Sequence, residues 1–364
     1  MHSFFNYIGI AVPDYKIAQA DIAAFMSNAL QLDSSEKRKL EVLYRASGIR
    51  YRHSVLSDYS KTFQDFEFFP KNEVLAPFPA ISERMRIYEK EAVKLAMKAI
   101  DDALPEGFDK KEITHLITIS CTGMYAPGID IEIVQQMELD SSVNRTAINF
   151  MGCYGAFNGF KLASSICKAD PEAKVLIVAV ELCTIHFQND KDEDTLLSNA
   201  LFSDGAAATL VTGKASDGAL RMDGFHSDIA YEGKSDMAWQ IGDNGFEMKL
   251  TSLVPDIIDK HIKTLTEKLL HKLAIDQNAI DGYAIHPGGK RILEVIERQL
   301  EIPKEKNGAA HQVLKSYGNM SSPTILFVLK EIFSNIGQGE KGNKLLSFAF
   351  GPGLTLESML LEIC

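Results

Sequence analysis

The amino-acid sequence predicts a layered α/β protein built from two similar halves. Three observations point there. Short apolar runs of strand character alternate with longer amphipathic runs along the whole chain. One of them, Ala173 to Cys183, is apolar almost throughout, as in a strand covered on both faces. Each half also closes on paired strands, and the polar stretch Lys214 to Gly218 lies between the halves. The expected units are 1–213 and 214–364. Residue-level self-similarity is too weak to establish a repeat by itself.

Taken in order, Phe5 to Val12 reads as a strand stopped by Pro13, and Ala18 to Leu30 as a helix. Ser34 to Ser47 is a charged amphipathic helix. In Ile49-Arg50-Tyr51-Arg52-His53 the alternation places both arginines on one face, either solvated or meeting a phosphate. Asp58 to Pro79 lacks periodicity and reads as a long surface loop. Ile81 to Leu104 is a long helix, Thr114 to Ser120 a buried strand, Cys121 to Gly128 a loop, and Ile131 to Met137 helical. A strand at Ala147 to Met151 leads into a helix whose apolar face carries Phe157, Phe160 and Ala163. Ala206 to Val211 is a further strand. The second half offers a segment at Gly224 to Ala230, a helix at Val254 to Leu273, a strand at Gly282 to Ile285 and helices at Ile292 to Leu300 and Pro323 to Ile336. It ends in a hairpin of Lys344 to Phe350 and Leu354 to Ile363.

The chain has 364 residues, 46% of them hydrophobic, enough for one large core or two smaller ones. Acidic residues outnumber basic ones by 49 to 38, which argues against a nucleic-acid surface but leaves room for a local basic patch. The five cysteines (121, 153, 167, 183 and 364) form no C-x-x-C pair, so neither zinc nor a disulfide framework is indicated. Met1 to Val12 has no basic n-region, and no apolar run reaches the length of a membrane span. A cytoplasmic protein is expected.

The chemistry centres on Thr146 to Ala156. A strand, Gly152, Cys153, Tyr154, Gly155 and a helix form a pattern that holds a thiol on a sharp turn at a helix N-terminus, where the thiolate is favoured. Lowering a thiol pKa by about two units takes roughly 2.7 kcal/mol of preference for the anion. A helix end alone rarely supplies that, so a cationic partner, a histidine, is required. The competing reading is a plain buried cysteine; the flanking glycines, which admit a ligand or another backbone, favour the site.

His286, in Tyr-Ala-Ile-His-Pro-Gly-Gly, ends an apolar strand ahead of a helix. Asn319, in Tyr-Gly-Asn-Met-Ser-Ser-Pro, is either a helix cap or an amide donor to a developing oxyanion. Phe202, before Ser203-Asp204-Gly205, reads as core when taken alone.

Gly152-Cys153, Leu201-Phe202 with Asp204-Gly205-Ala206-Ala207, His286-Pro287-Gly288-Gly289, Tyr317 to Ser322 and Phe350-Gly351-Pro352-Gly353-Leu354-Thr355 occur in the order found in type III polyketide synthases. From about Ile113 onward the chain resembles these chalcone-synthase-like members of the thiolase superfamily. The resemblance implies a thiolase fold of five α-β-α-β-α layers, a homodimer and no metal or redox cofactor. Cys153 would take the starter acyl group from an acyl-CoA, and His286 would hold its thiolate in an ion pair. His286 and Asn319 would bind the malonyl-CoA carbonyl as decarboxylation builds an enolate. Phe202 would be the gatekeeper whose apolar face favours loss of carbon dioxide. Met248, Ser321, Gly351 and Pro352 would line the substrate site.

Three departures from the plant pattern stand out. His186 replaces a chamber threonine, Trp239 aligns with a small glycine and would narrow the chamber, and Ala126 replaces a methionine that crosses the dimer. Of the basic CoA-binding positions, Lys37 matches but Leu40 and Tyr44 do not; Arg45, Arg50 or Arg52 would substitute, or the donor is an acyl carrier protein. A small pyrone or resorcinol is the expected product. Two other readings compete. One is a single-round condensing enzyme resembling β-ketoacyl-acyl carrier protein synthase III, suggested by Arg45 to Arg50. The other is an inactive thiolase-fold scaffold, which the intact Cys153, His286 and Asn319 oppose.

Overall fold

The computed structural model describes residues 2–337 and 339–364. The first half runs β1 (Phe4–Ala11), β2 (Tyr15–Ala18), α1 (Gln19–Ala29), α2 (Ser34–Ala46), β3 (Tyr51–Ser54), α3 (Ile81–Ala103), β4 (His115–Ser120), α4 (Ile129–Met137), β5 (Asn144–Asn149), α5 (Gly155–Ala169), β6 (Lys174–Leu182), α6 (Glu193–Leu201) and β7 (Asp204–Thr212). The second half runs β8 (Leu220–Ile229), β9 (Met237–Gly242), β10 (Gly245–Leu250), α7 (Val254–Leu273), β11 (Gly282–Ile285), α8 (Lys290–Gln299), α9 (Gly308–Tyr317), α10 (Thr324–Ser334), β12 (Lys344–Gly351) and β13 (Thr355–Ile363).

Two mixed sheets meet at one corner. The order is β11-β12-β13-β8-β1-β7-β6-β4-β5, and β1 touches β8 only through Phe4 with Arg221 and Phe5 with Leu220. From that seam outward both sheets follow the same sense. β1-β7-β6 is antiparallel and β6-β4-β5 parallel; β8-β13-β12 is antiparallel and β12-β11 parallel.

Strand β6 shows how the layers arise. Its side chains alternate between two cores: Val175, Ile177 and Ala179 face one, Leu176, Val178 and Val180 the other. The second core is shared with Ala92, Leu95, Ala96 and Ala99 of α3. The first is shared with Ala156, Phe157, Phe160 and Ala163 of α5. Helix α10 reaches β1 and β7 on one side and β11 on the other, and α7 covers β8 and β13. Helix, sheet, central helices, sheet and helix make the five layers.

Several expectations need correction. Asp58 to Pro79 is not simply a surface loop. Phe66, Phe69 and Leu75 are buried, and the Asp58 carboxylate accepts the N–H groups of Glu67, Phe68 and Phe69, which pins the segment over the core. Arg50 and Arg52 do not share an exposed face. Arg50 lies outside β3 and is exposed, whereas Arg52 is buried. The strand before Cys153 is Asn144–Asn149 rather than Ala147 to Met151, an edge strand whose side chains are largely exposed. Helices α6 and α9 and the hairpin β9–β10 escape the sequence reading. Among the described residues, no helix is long and apolar enough to cross a membrane.

The central layer sets a stability test. Phe160 is fully buried and packs edge-on to Phe5, with ring centroids 4.9 Å apart. Phe160→Ala is expected to cost about 3–5 kcal/mol in urea unfolding; a loss below about 1 kcal/mol would contradict this packing.

Candidate active site

After β5, Phe150 and Gly152 take positive φ values of 60° and 74°. They bend the chain into a single 3-10 turn, Gly152–Tyr154, that runs directly into α5. Cys153 therefore sits just ahead of a helix N-terminus. Position 152 must be glycine for a second reason: a Cβ there would lie 2.4 Å from Cδ of Pro352. The Gly152 N–H donates to Cys121 Sγ at 3.0 Å. Behind the turn the fully buried Glu181 accepts from the Cys121 N–H, the Thr122 hydroxyl and the Ser322 hydroxyl, so one carboxyl ties loops from both halves. Burial raises its pKa.

His286 follows β11, and its own N–H donates to the Phe348 carbonyl at 2.8 Å. The ring is 1% exposed, and neither Nδ1 nor Nε2 has a protein partner. Asn319 follows α9. Its N–H donates to Leu201 O, and its own carbonyl accepts from Ser203 N, so its backbone is stitched to the segment carrying Phe202. The Ser321 N–H donates to Asn319 Oδ1 at 2.8 Å, which fixes the amide orientation and turns Nδ2 toward Gly288 O, 3.3 Å away. Nδ2 lies 3.9 Å from Cys153 Sγ. Asn319 caps no helix; Thr324 Oγ1 accepts the Met320 N–H instead.

Cys153, His286, Asn319 and Phe202 all line one small cavity, together with Met248 and Pro352. Its volume is about 10 Å³, room for little more than one water. Dryness dominates the electrostatics. Burial pushes the Cys153 thiol up to about 11, opposed in part by hydrogen bonds from Ser321 and Asn319. Burial pushes the His286 imidazolium down to about 3. A lone thiolate or a lone imidazolium is therefore disfavoured here.

A model of chalcone and stilbene synthases, N-terminal domain, matches residues 3–215, and the corresponding C-terminal model matches 226–364. The chain belongs to the chalcone and stilbene synthase family, the type III polyketide synthases. It is 28% identical to an alpha-pyrone synthesis polyketide synthase-like protein of Mycobacterium tuberculosis, over 98% of this chain and 90% of that one. It is 28% identical to probable polyketide synthase 1 of Dictyostelium discoideum over 99% of this chain, but spans only 11% of that much longer protein. The crystal structure of the C-terminal type III domain of the Dictyostelium type I/III hybrid Steely1 superposes with a TM-score of 0.91, at 27% identity, covering 100% of this chain and 99% of that domain. These matches do not favour the β-ketoacyl-acyl carrier protein synthase III alternative.

Within this family frame, the remaining expected residues fall into three groups. Ser321 is buried with φ 58°, beside Cys153, and Gly351 and Pro352 end β12 against the cysteine turn. His186, Trp239 and Met248 line a second cavity of about 50 Å³, which shares Phe202 and Met248 with the first. His186 is a fixed neutral tautomer: its Nε2 donates to Thr122 O at 2.6 Å, its Nδ1 accepts from Phe246 N at 2.9 Å, and its ring stacks on Phe246. Trp239 Nε1 donates to Cys121 O at 2.7 Å.

Lys37 and Arg45 form the third group. Both are exposed on α2 and line none of these cavities. Leu40 and Tyr44, where the family's cations were sought, are buried core residues. A third cavity, of about 620 Å³, runs along α2 and meets the Cys153 cavity at Leu250, Gly288 and Ile292. Its cations are Lys39, Lys191, Lys290 and Arg291, which sequence reasoning did not select. The last two directly follow the His-Pro-Gly-Gly string, the one signal that pointed to them.

The turn predicts a clear mutant phenotype. Gly152→Ala meets Pro352 and a positive φ together, so a loss of about 1–3 kcal/mol is expected, with slower alkylation of Cys153 read by peptide mass spectrometry. Unchanged stability and unchanged labelling would contradict the placement.

Proposed function

We propose that Cys153 carries an acyl starter and that this enzyme extends it with malonyl-CoA into a small polyketide of pyrone or resorcinol type. The observation that supports this best is the convergence of Cys153, His286 and the oriented Asn319 amide on one dry cavity. In the first step the Cys153 thiolate attacks the thioester carbonyl of the acyl-CoA. The C–S bond to CoA breaks, and the departing CoA thiolate takes the proton held by His286. Malonyl-CoA follows, and its bond to the carboxylate breaks. Carbon dioxide leaves and the electron pair passes into the thioester as an enolate. N–H groups of His286 and Asn319 donate to the enolate oxygen, and these bonds strengthen as its charge develops. Phe202 keeps the carboxylate in apolar surroundings, which favours its loss. The enolate carbon then attacks the acyl-Cys153 carbonyl and expels the Cys153 thiolate.

In this reading the CoA arm enters by the 620 Å³ cavity, whose mouth offers Lys39, Lys191, Lys290 and Arg291 to phosphates. The comparisons point to no acyl carrier protein. The reading includes a homodimer formed at β5, an unpaired edge near the exposed Met124, Ile131 and Met151. It also divides the chain into units 1–213 and 214–364, supported by the repeated strand sense.

Purified protein with a panel of acyl-CoA starters and malonyl-CoA should release carbon dioxide and a polyketide. One extension that needs a carrier protein, or silence across the panel, would sink the reading. Asn319→Ala should slow malonyl-CoA decarboxylation about 10²–10³-fold while Cys153 still accepts the starter; equal loss of both steps would contradict the enolate role.

A further inference from the structure

The cavity behind Phe202 faces a buried charge with no bonded counter-charge. Arg52 is 4% exposed. Its Nε donates to Gln19 Oε1 at 2.8 Å, and its Nη1 donates to the carbonyls of Asn199 and Phe202, both at 2.7 Å. The two Nη1 bonds clamp the C-terminal end of α6 and fix the backbone of Phe202, and the Nε bond ties Arg52 to the start of α1. The remaining nitrogen, Nη2, makes no protein hydrogen bond, and the guanidinium lies over the Tyr44 ring, 5.6 Å from its centroid. Among the described residues no carboxylate forms an ion pair with Arg52, and none lines the cavity. Asp204 lies within electrostatic range, but its carboxylate is occupied by the N–H groups of Val55 and Thr184 and by the Thr184 hydroxyl.

The other ionisable groups in the lining are silent. Burial holds His53 near about 4 and His186 near about 3, so both are neutral at physiological pH. The rest of the wall mixes apolar and aromatic side chains, Phe187, Trp239 and Phe246 among them, with neutral polar ones such as Ser54, Gln188 and Ser198. A buried donor left unpaired is costly. These structural bonds use Nε and Nη1 only. Nη2 is surplus to that structural duty.

We propose that Arg52 is a specificity-determining residue whose Nη2 recognises an oxygen acceptor on the acyl group held by Cys153. The inference rests on the reading of Cys153 as the acyl carrier. Two sources supply such an oxygen: a keto group of the growing chain, or the terminal carboxylate of a starter. The route exists because Phe202 and Met248 border both this cavity and the Cys153 cavity. The flexible thioether of Met248 is the side chain suited to yield to an entering chain.

The test compares three six-carbon thioesters: hexanoyl-CoA, 3-oxohexanoyl-CoA and adipoyl-CoA. Acylation of Cys153 is followed by intact mass, and kcat/KM by malonyl-dependent carbon dioxide release. Wild-type protein should favour one oxygenated thioester over hexanoyl-CoA by about ten- to a hundredfold, the size of one charge-assisted hydrogen bond. Preference for the 3-oxo compound assigns a keto oxygen, and preference for adipoyl-CoA a carboxylate. Arg52→Met should abolish the ratio, and Arg52→Lys should keep part of it. Wild-type protein that uses hexanoyl-CoA as well as both others overturns the inference while leaving the proposed function standing. So does an Arg52→Met variant that loses the same factor on all three, the behaviour of a strut. Should Arg52→Met fail to fold, the wild-type ratio decides alone. Failure of every thioester to acylate Cys153 removes the proposed function and this inference together.

Discussion

The cost of charge in a dry cavity constrains everything else in this protein. Cys153 and His286 are both almost fully buried, and burial acts on them in opposite directions, raising the thiol and depressing the imidazole. Either charge alone is expensive there; the two together offset each other. The same dryness makes a fixed N–H donor effective against a forming enolate. In the proposed function, nucleophile activation and transition-state stabilisation both draw on one property of the site, the exclusion of water.

The fold supplies that property by convergence. Cys153 comes from the first sheet, His286 from the second, and Asn319 from the helical connection that follows. The Cys153 and Asn319 segments are not held by their own halves alone. Pro352 packs on Gly152, Asn319 is stitched to Leu201 and Ser203, and Ser322 bonds Glu181. Within the first half, Arg52 holds the Phe202 segment by gripping the carbonyls of Asn199 and Phe202. The site lies at the seam, where each half walls off the other's reactive group.

Much of this was legible in the sequence because local chemistry announced it. Helix α7 and strand β11 agree with the expected bounds, since Pro255 and the apolar periodicity mark one and the His-Pro-Gly-Gly break ends the other. Cys153, His286 and Asn319 were visible through glycines and small polar residues that no ordinary strand or helix needs. Elements whose stability comes from contacts rather than pattern were missed. Helix α6 opens with Glu193 and Asp194 and buries only Ser198, Ala200 and Leu201, too little for a periodic signal. Phe66 and Phe69 looked like loop residues because nothing local shows that Asp58 folds them inward. Arg52 was misplaced for the same reason: alternation assigned it a face, but its hydrogen-bond partners are residues 19, 199 and 202. Lys37 and Arg45, chosen by alignment position, lie exposed on α2, and the cavity along that helix is lined by Lys39.

Ultraviolet titration of the thiolate tests the paired-charge claim most directly. The absorbance is taken as the difference between wild type and Cys153→Ser, and the measurement is repeated in a His286→Ala background. A thiol raised by burial ionises only above its raised pKa, whereas one paired with an imidazolium is already ionised at neutral pH. Wild type should therefore show a thiolate signal at pH 7, and His286→Ala should show none until the pH approaches about 11. A Cys153 thiol that titrates at the same alkaline pH with and without His286 would contradict the claim.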